Sequence, residues 1–145
     1  MESKDLRIGN FVNLNRTNTC VEVKAVFSDG VNIQNQPPLD INKNMNVSIN
    51  SVSPIPLTEE WLNKFSLMKK YLENPFEEGG YDLDEKGNRW YHWVDGGLFN
   101  LEIQTNGEIW FEVYSCYRHI QYVHELQNLY HALNGKELVF IDKNI

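Results

Sequence analysis

Hydrophobic and polar positions along the chain switch between a strand-like and a helix-like period, which divides it into strand-rich and helical stretches. Phe11-Val-Asn-Leu14, Cys20-Val-Glu-Val-Lys-Ala-Val-Phe27 and Val31-Asn-Ile33 alternate at a period near two and are rich in β-branched and aromatic residues, so they predict short strands. Ser28-Asp-Gly30 predicts a tight hairpin turn between the second and third, with Gly30 free to take a positive φ. Pro37-Pro38 breaks the chain, an Asn-rich loop follows, and a further short strand is expected near Val47–Val52. This opening pattern suggests a small SH3-like barrel.

Pro54-Ile-Pro56 reads as an extended connector, because each proline pushes its predecessor away from the helical region. Thr58 then stands as an N-cap with Glu59 and Glu60 in the first turn, where the helix dipole favours acids. A short helix from Glu59 to Phe65 is predicted, docking Trp61 and Phe65 on the core. Tyr71-Leu72 could begin a strand, and Glu73 to Asn88 reads as an acidic loop.

Three strands are expected next, at Arg89–Val94, Leu98–Ile103 and Glu108–Ser115. The turn between the last two discriminates between registers. A two-residue Asn106-Gly107 loop would set Ile109, Phe111 and Val113 against Gln104, Glu102 and Asn100, mixing apolar with polar on both faces. A three-residue loop, Thr105-Asn-Gly107, pairs Ile103 with Ile109, Leu101 with Phe111 and Phe99 with Val113. A slip of one residue flips every side chain, so the second register is predicted, with Gly107 in the left-handed position of a bulge. Its opposite face carries Asn100, Glu102, Trp110, Glu112 and Tyr114, and a two-residue Gly96-Gly97 turn would add Tyr91 and Trp93.

Tyr122, Val123, Leu126, Leu129, Tyr130 and Leu133 recur at helical spacing, and Asn134-Gly135 is a stop signal. A helix from Val123 to Leu133 is predicted to lay its leucine stripe on the sheet, before a terminal strand at Glu137–Ile141. The expected fold is α+β. Residues 1–57 would form a small barrel-like subdomain and residues 58–145 an antiparallel sheet with helices, packed together as one compact unit.

The stretches Ile8-Gly-Asn-Phe-Val12, Ile55-Pro-Leu-Thr-Glu-Glu-Trp-Leu-Asn-Lys-Phe65 and Tyr122-Val-His-Glu-Leu-Gln-Asn-Leu-Tyr-His-Ala-Leu-Asn-Gly-Lys-Glu-Leu138 resemble a family of small proteins from bacteriophages and prophage-bearing genomes. The resemblance implies a phage or prophage setting and carries no activity, catalytic residue or ligand with it. The central acidic stretch is longer than the family pattern leads one to expect.

Composition narrows the function. With 41% hydrophobic and 23% charged residues the chain has a globular balance, and no apolar run approaches the roughly 20 residues of a membrane span. The charged start Met1-Glu-Ser-Lys-Asp5 lacks an apolar signal core, which points to the cytoplasm. Cys20 and Cys116 have no C-x-x-C partner and are expected as reduced thiols. The net charge of −7 is concentrated: residues 1–58 carry five acids and five bases, residues 59–85 eight and three, residues 86–145 seven and five. Such a balance disfavours attraction to a phosphate backbone and suits a partner protein with a basic surface.

Candidate chemistries are few. Asp82-Leu-Asp-Glu-Lys-Gly-Asn88 begins like a calcium loop, but Lys86 takes a ligand place and Trp93 stands where the bidentate Glu belongs. His124, Asn128 and His131 share a helix face without a third metal ligand, and read as a polar outer face. Cys116 and His119 are an odd number of residues apart, so a strand would put them on opposite faces, out of reach as nucleophile and base. No phosphate loop, nucleophile elbow or zinc spacing occurs. The expectation is therefore a non-catalytic protein with no metal or cofactor, using Tyr91, Trp93, Glu102, Trp110, Glu112 and Tyr114 to bind a basic host protein, in a phage setting one of the host's defences. The alternative is a nucleic-acid-binding accessory module on an SH3-like barrel, using Lys4, Arg7, Arg16 and Lys24. A hydrolase of unfamiliar design would need a convergent polar cleft.

Overall fold

The computed structural model describes residues 1–34, 44–65, 82–83, 89–92, 99–113 and 116–140. The Pro37-Pro38 break, the start of the Asn-rich stretch up to residue 43, Tyr71-Leu72, Gly96-Gly97, Trp93, Tyr114 and Ile141 lie outside them; the rest of the Asn-rich stretch is strand rather than loop. The fold is mixed α+β, with antiparallel sheets and a C-terminal helix. The chain divides into two compact units: Met1–Pro56 with Tyr122–Glu137, and Leu57–Gln121 with Leu138–Asn144. The division expected at residue 57 puts the C-terminal helix with the second part, whereas its contacts group it with the first.

The first unit is built on strands β1 (Phe11–Leu14), β2 (Thr19–Val26), β3 (Gly30–Gln34), β4 (Asn44–Ser48) and β5 (Val52–Ser53), in the order β4-β3-β2-β1-β5. This is an open sheet, and no closed barrel forms among the described residues. Alternation in β2 and β3 sends Val21, Val23, Val31 and Ile33 inward, where they pack with Leu6, Val12, Leu14 and Val52. Gly30 differs from expectation, since it is absent from the residues of positive φ. What it provides is room: a Cβ there would come within 2.5 Å of the Val47 carbonyl oxygen on β4.

Helix α2 in this unit runs Val123–Asn134 and stops at Gly135, whose φ of 65° is the left-handed cap that the Asn-Gly signal predicts. (Helix α1, Glu59–Asn63, belongs to the second unit.) Only the first turns of α2 are deeply buried, through Val123, His124, Leu126 and Gln127. Leu133, at the far end of the expected stripe, is exposed. The helix meets β1 through polar chemistry. Gln127, 1% exposed, accepts a hydrogen bond from the Phe11 amide at 2.9 Å and donates one to the Gly9 carbonyl at 2.9 Å. Its side-chain amide thereby supplies the donor and acceptor that a neighbouring strand would offer. Beside it, Asn10 donates to Asn128 at 2.8 Å, and Asn128 donates to the Asp5 carbonyl at 3.0 Å. Arg7 makes a two-pronged ion pair with Glu137, one prong at 3.0 Å.

The second unit carries β6 (Asp82–Leu83), β7 (Arg89–His92), β8 (Phe99–Ile103), β9 (Ile109–Val113) and β10 (Cys116–Ile120) in the order β10-β9-β8-β7-β6. The β8–β9 register pairs Ile103 with Ile109, Leu101 with Phe111 and Phe99 with Val113, as the three-residue loop predicts, and Gly107 has a φ of 88°. Two strands were not anticipated: β6, within the expected acidic loop, and β10. The expected helix is shorter than predicted, running Glu59–Asn63 with the Thr58 hydroxyl capping the Trp61 amide. Phe65 instead forms a bridge with Phe140 and is fully buried together with Leu62. The terminal segment makes this one bridge and no extended strand among the described residues.

Replacing Gln127 by Ala or Leu leaves the Phe11 N–H and the Gly9 carbonyl without partners. Each unsatisfied group costs about 1–3 kcal/mol, so urea denaturation should show a loss of about 2–6 kcal/mol, with faster amide exchange at Phe11. Gln127→Glu should not rescue the loss, because a carboxylate cannot donate to the Gly9 carbonyl.

Candidate functional site

The outer face of the second sheet is set by register. Directly opposed residues share a face, so Glu102, Trp110 and His119 form one row across β8, β9 and β10, and Asn100, Glu112 and Tyr117 the next. The reverse face carries Leu101, Ile103, Ile109, Phe111 and Ile120, all buried. Sequence alternation in β8 and β9 therefore predicts the two faces correctly, but several expected site residues move.

Tyr91 pairs with Leu101, one residue away from the pairing with Glu102 that a two-residue glycine turn requires. Its register position is thus that of the core-forming Leu101, and Trp90 and His92 take the positions opposite Glu102 and Asn100. The β7 register is thus shifted by one residue from the expected one. Trp93 and Tyr114 lie outside the described residues.

Glu102 is also corrected. It was expected at the surface to select a basic partner, yet it is 4% exposed. Tyr117 reaches from β10 across β9 and donates its hydroxyl to the Glu102 carboxylate. A buried carboxylate needs such a donor, because desolvation of the charge is otherwise costly.

Trp110 and Glu112 do remain at the surface of this face, both partly exposed. The Trp110 ring stacks on His119 with centroids 5.1 Å apart and 16° between planes. Tyr117 lies 5.8 Å away at 43°, and the indole N–H donates to Glu108 at 3.0 Å. Three neighbours thus fix the indole. Tyr117, 46% exposed, and His119 were missing from the sequence expectation. The five residues Cys116-Tyr-Arg-His-Ile120 carry no strong apolar alternation that would have marked a strand there. Arg118 of β10 pairs with Phe111 and Arg89 of β7 with Ile103, so among the described residues register assigns no Lys or Arg to the Trp110 face.

The other sequence candidates resolve differently. His124, Asn128 and His131 do not make an outer polar face: His124 is 4% exposed, and Asn128 is tied to Asp5 and Asn10. His124 stacks on Tyr122 at 5.8 Å, and its Nδ1 has no hydrogen-bond partner. Burial lowers its pKa, against the opposing pull of Glu125 and Asp5 and with a smaller push from the N-terminal amine. Cys116 and His119 do point to opposite faces by register, pairing with Val113 and Trp110. Among the described residues no three His, Cys, Asp or Glu side chains converge on a metal position. Of the cations put forward for nucleic acid, Lys4 pairs with Glu2 at 2.8 Å, Arg7 with Glu137 and Lys24 with Glu22 at 2.9 Å, leaving Arg16 exposed.

Comparison with protein-family models, with curated proteins and with solved structures finds no match.

The His124 shift carries a stability prediction with a definite sign. Its folded pKa is below the ordinary 6.5, so the unfolded chain takes up the proton first as pH falls. Its contribution is present above pH 6.5 and lost progressively below it. Denaturation midpoints measured from pH 7.5 down to 5 should therefore fall, and His124→Phe should flatten that part of the profile.

Proposed function

We propose that the chain is a non-catalytic binding protein, encoded by a phage or prophage and acting in the host cytoplasm, that engages a basic host protein through the outer face of β8, β9 and β10. One observation carries this reading. Trp110 is held by His119, Tyr117 and Glu108 while staying partly exposed, among carboxylates and with no Lys or Arg on its face among the described residues. A fixed indole loses little rotational freedom on binding, which is why Trp and Tyr dominate binding energy where proteins meet. Surrounding carboxylates select a basic partner and speed its approach. The phage-family resemblance supports a host target, and a nucleic-acid-targeting defence system, whose working surfaces are basic, is the class we infer.

The alternative, nucleic-acid binding by an SH3-like N-terminal module, is supported less well. Three of its four cations already face carboxylates, which lowers the positive potential available to phosphates.

The test is retention of a stoichiometric host protein by the immobilised chain. Trp110→Ala should weaken capture by at least about tenfold, the scale of a Trp anchor, and Glu112→Gln by less, both with unchanged circular dichroism. Raising salt should release the partner. Capture that survives Trp110→Ala at full strength refutes the face, and retention on DNA in place of protein would favour the alternative.

A further inference from the structure

The sheet of the first unit ends in two edges of different character. On one side the edge is closed. Strand β5 is two residues long, Pro54 and Pro56 follow it, and Gln127 takes the Phe11 amide and the Gly9 carbonyl beside β1. On the other side β4 is the last strand, with none beyond it among the described residues. It pairs with β3 over all five residues, from Gly30 with Ser48 to Gln34 with Asn44, without a bulge. From Asn44 to Ser53 the chain has no Lys, Arg, Asp, Glu or Pro. The usual guards of an edge are a charge, a proline, a bulge or a very short strand, and β4 carries none of them. In the second sheet, by comparison, the end strand β6 is two residues long and the end strand β10 carries Arg118.

The side chains of β4 suit a copy of themselves. Met45 is opposite the buried Ile33 and Val47 opposite the buried Val31, so both stand on the core side of the sheet. Met45 is nonetheless 37% exposed, at the place where the apolar layer ends. Asn44, Asn46 and Ser48 alternate with them on the other side and are exposed. The Asn46 side-chain oxygen accepts a hydrogen bond from Asn32 at 2.7 Å, which leaves the Asn46 N–H2 group to donate elsewhere.

We infer that β4 pairs antiparallel with β4 of a second copy of this chain, about a two-fold axis at Asn46, joining the first sheets of two molecules edge to edge. This register sets Asn46 against its counterpart, Met45 against Val47 and Asn44 against Ser48. All five residues are paired, with apolar side chains together on one side and amides and hydroxyls together on the other. A shift of one residue would face Met45 with an amide. A two-fold contact brings each residue near the axis against itself or a close neighbour, so any charge in β4 would meet its like. The uncharged run Asn44–Ser48 avoids that penalty. The inference goes beyond the protein-binding reading and does not depend on it.

Sedimentation equilibrium on the full chain tests it. A five-residue pairing is a small contact, so a monomer–dimer equilibrium is expected between about 10 μM and 1 mM. Asn46→Lys and Asn46→Asp are both surface changes, and each sets like charges face to face. Either should raise the dimer dissociation constant by about fivefold, the scale of one cross-strand pair, with unchanged circular dichroism. An equimolar mixture of the two variants should recover association, seen by native mass spectrometry as a heterodimer in excess over either homodimer. A chain that stays monomeric across that range, or a dimer that neither variant weakens, overturns the inference. A mixture without preference for the heterodimer also overturns it, because the Asn46-centred register is what brings the opposite charges together.

Discussion

The first unit depends on one side-chain amide. Strand β1 is bordered by β2 on one side, while on the other β5 pairs only with Asn13 and Leu14. The Phe11 N–H and the Gly9 carbonyl are satisfied by Gln127, which arrives from more than a hundred residues later in the chain. Burying a backbone edge without partners is among the costlier faults a small domain can contain. The helix therefore has a role beyond covering apolar surface: it completes the hydrogen bonding of a strand it follows by most of the sequence. Residues 1–57 alone lack Gln127 and Asn128, so the N-terminal strands and the C-terminal helix have to be regarded as one folding unit.

This explains what the amino-acid pattern conveyed and what it did not. The β8–β9 hairpin was legible because Thr105-Asn-Gly107 and six alternating apolar residues all demand one register. The end of α2 was legible because Asn134-Gly135 is a local signal. The β7 register failed because its evidence was a glycine pair alone, without an apolar alternation strong enough to contradict a one-residue shift. The polar face of α2 failed for a different reason. His124, Gln127 and Asn128 look like solvent-facing residues by type, and for Gln127 only a distant backbone edge makes burial favourable. Period and composition do not encode a partner that is far away in the chain.

The same difficulty applies to the carboxylates of the second sheet. Glu102 and Glu112 are equivalent by sequence, two residues from Asn100 and Trp110 on alternating strands. Their environments differ because Tyr117, opposite Glu112 in register, extends diagonally to Glu102. One acid accepts the Tyr117 hydroxyl and is buried, and the other stays partly exposed. That distinction comes from β10, a strand whose five residues carry no strong apolar pattern.

The stretches that resemble a phage family turn out to be the joints of the structure. Gly9 and Phe11 bind Gln127, Asn10 binds Asn128, Val123 donates to the Ile55 carbonyl at 2.9 Å, and Phe65 bridges Phe140. Residues with these duties hold strands, helix and tail together whatever surface the scaffold displays. Trp110, Glu112 and Tyr117 lie outside all three stretches. On the outer face of β8, β9 and β10, by contrast, the indole of Trp110 is held by His119, Tyr117 and Glu108, Glu112 stays partly exposed opposite Tyr117, and register assigns no Lys or Arg to that face among the described residues.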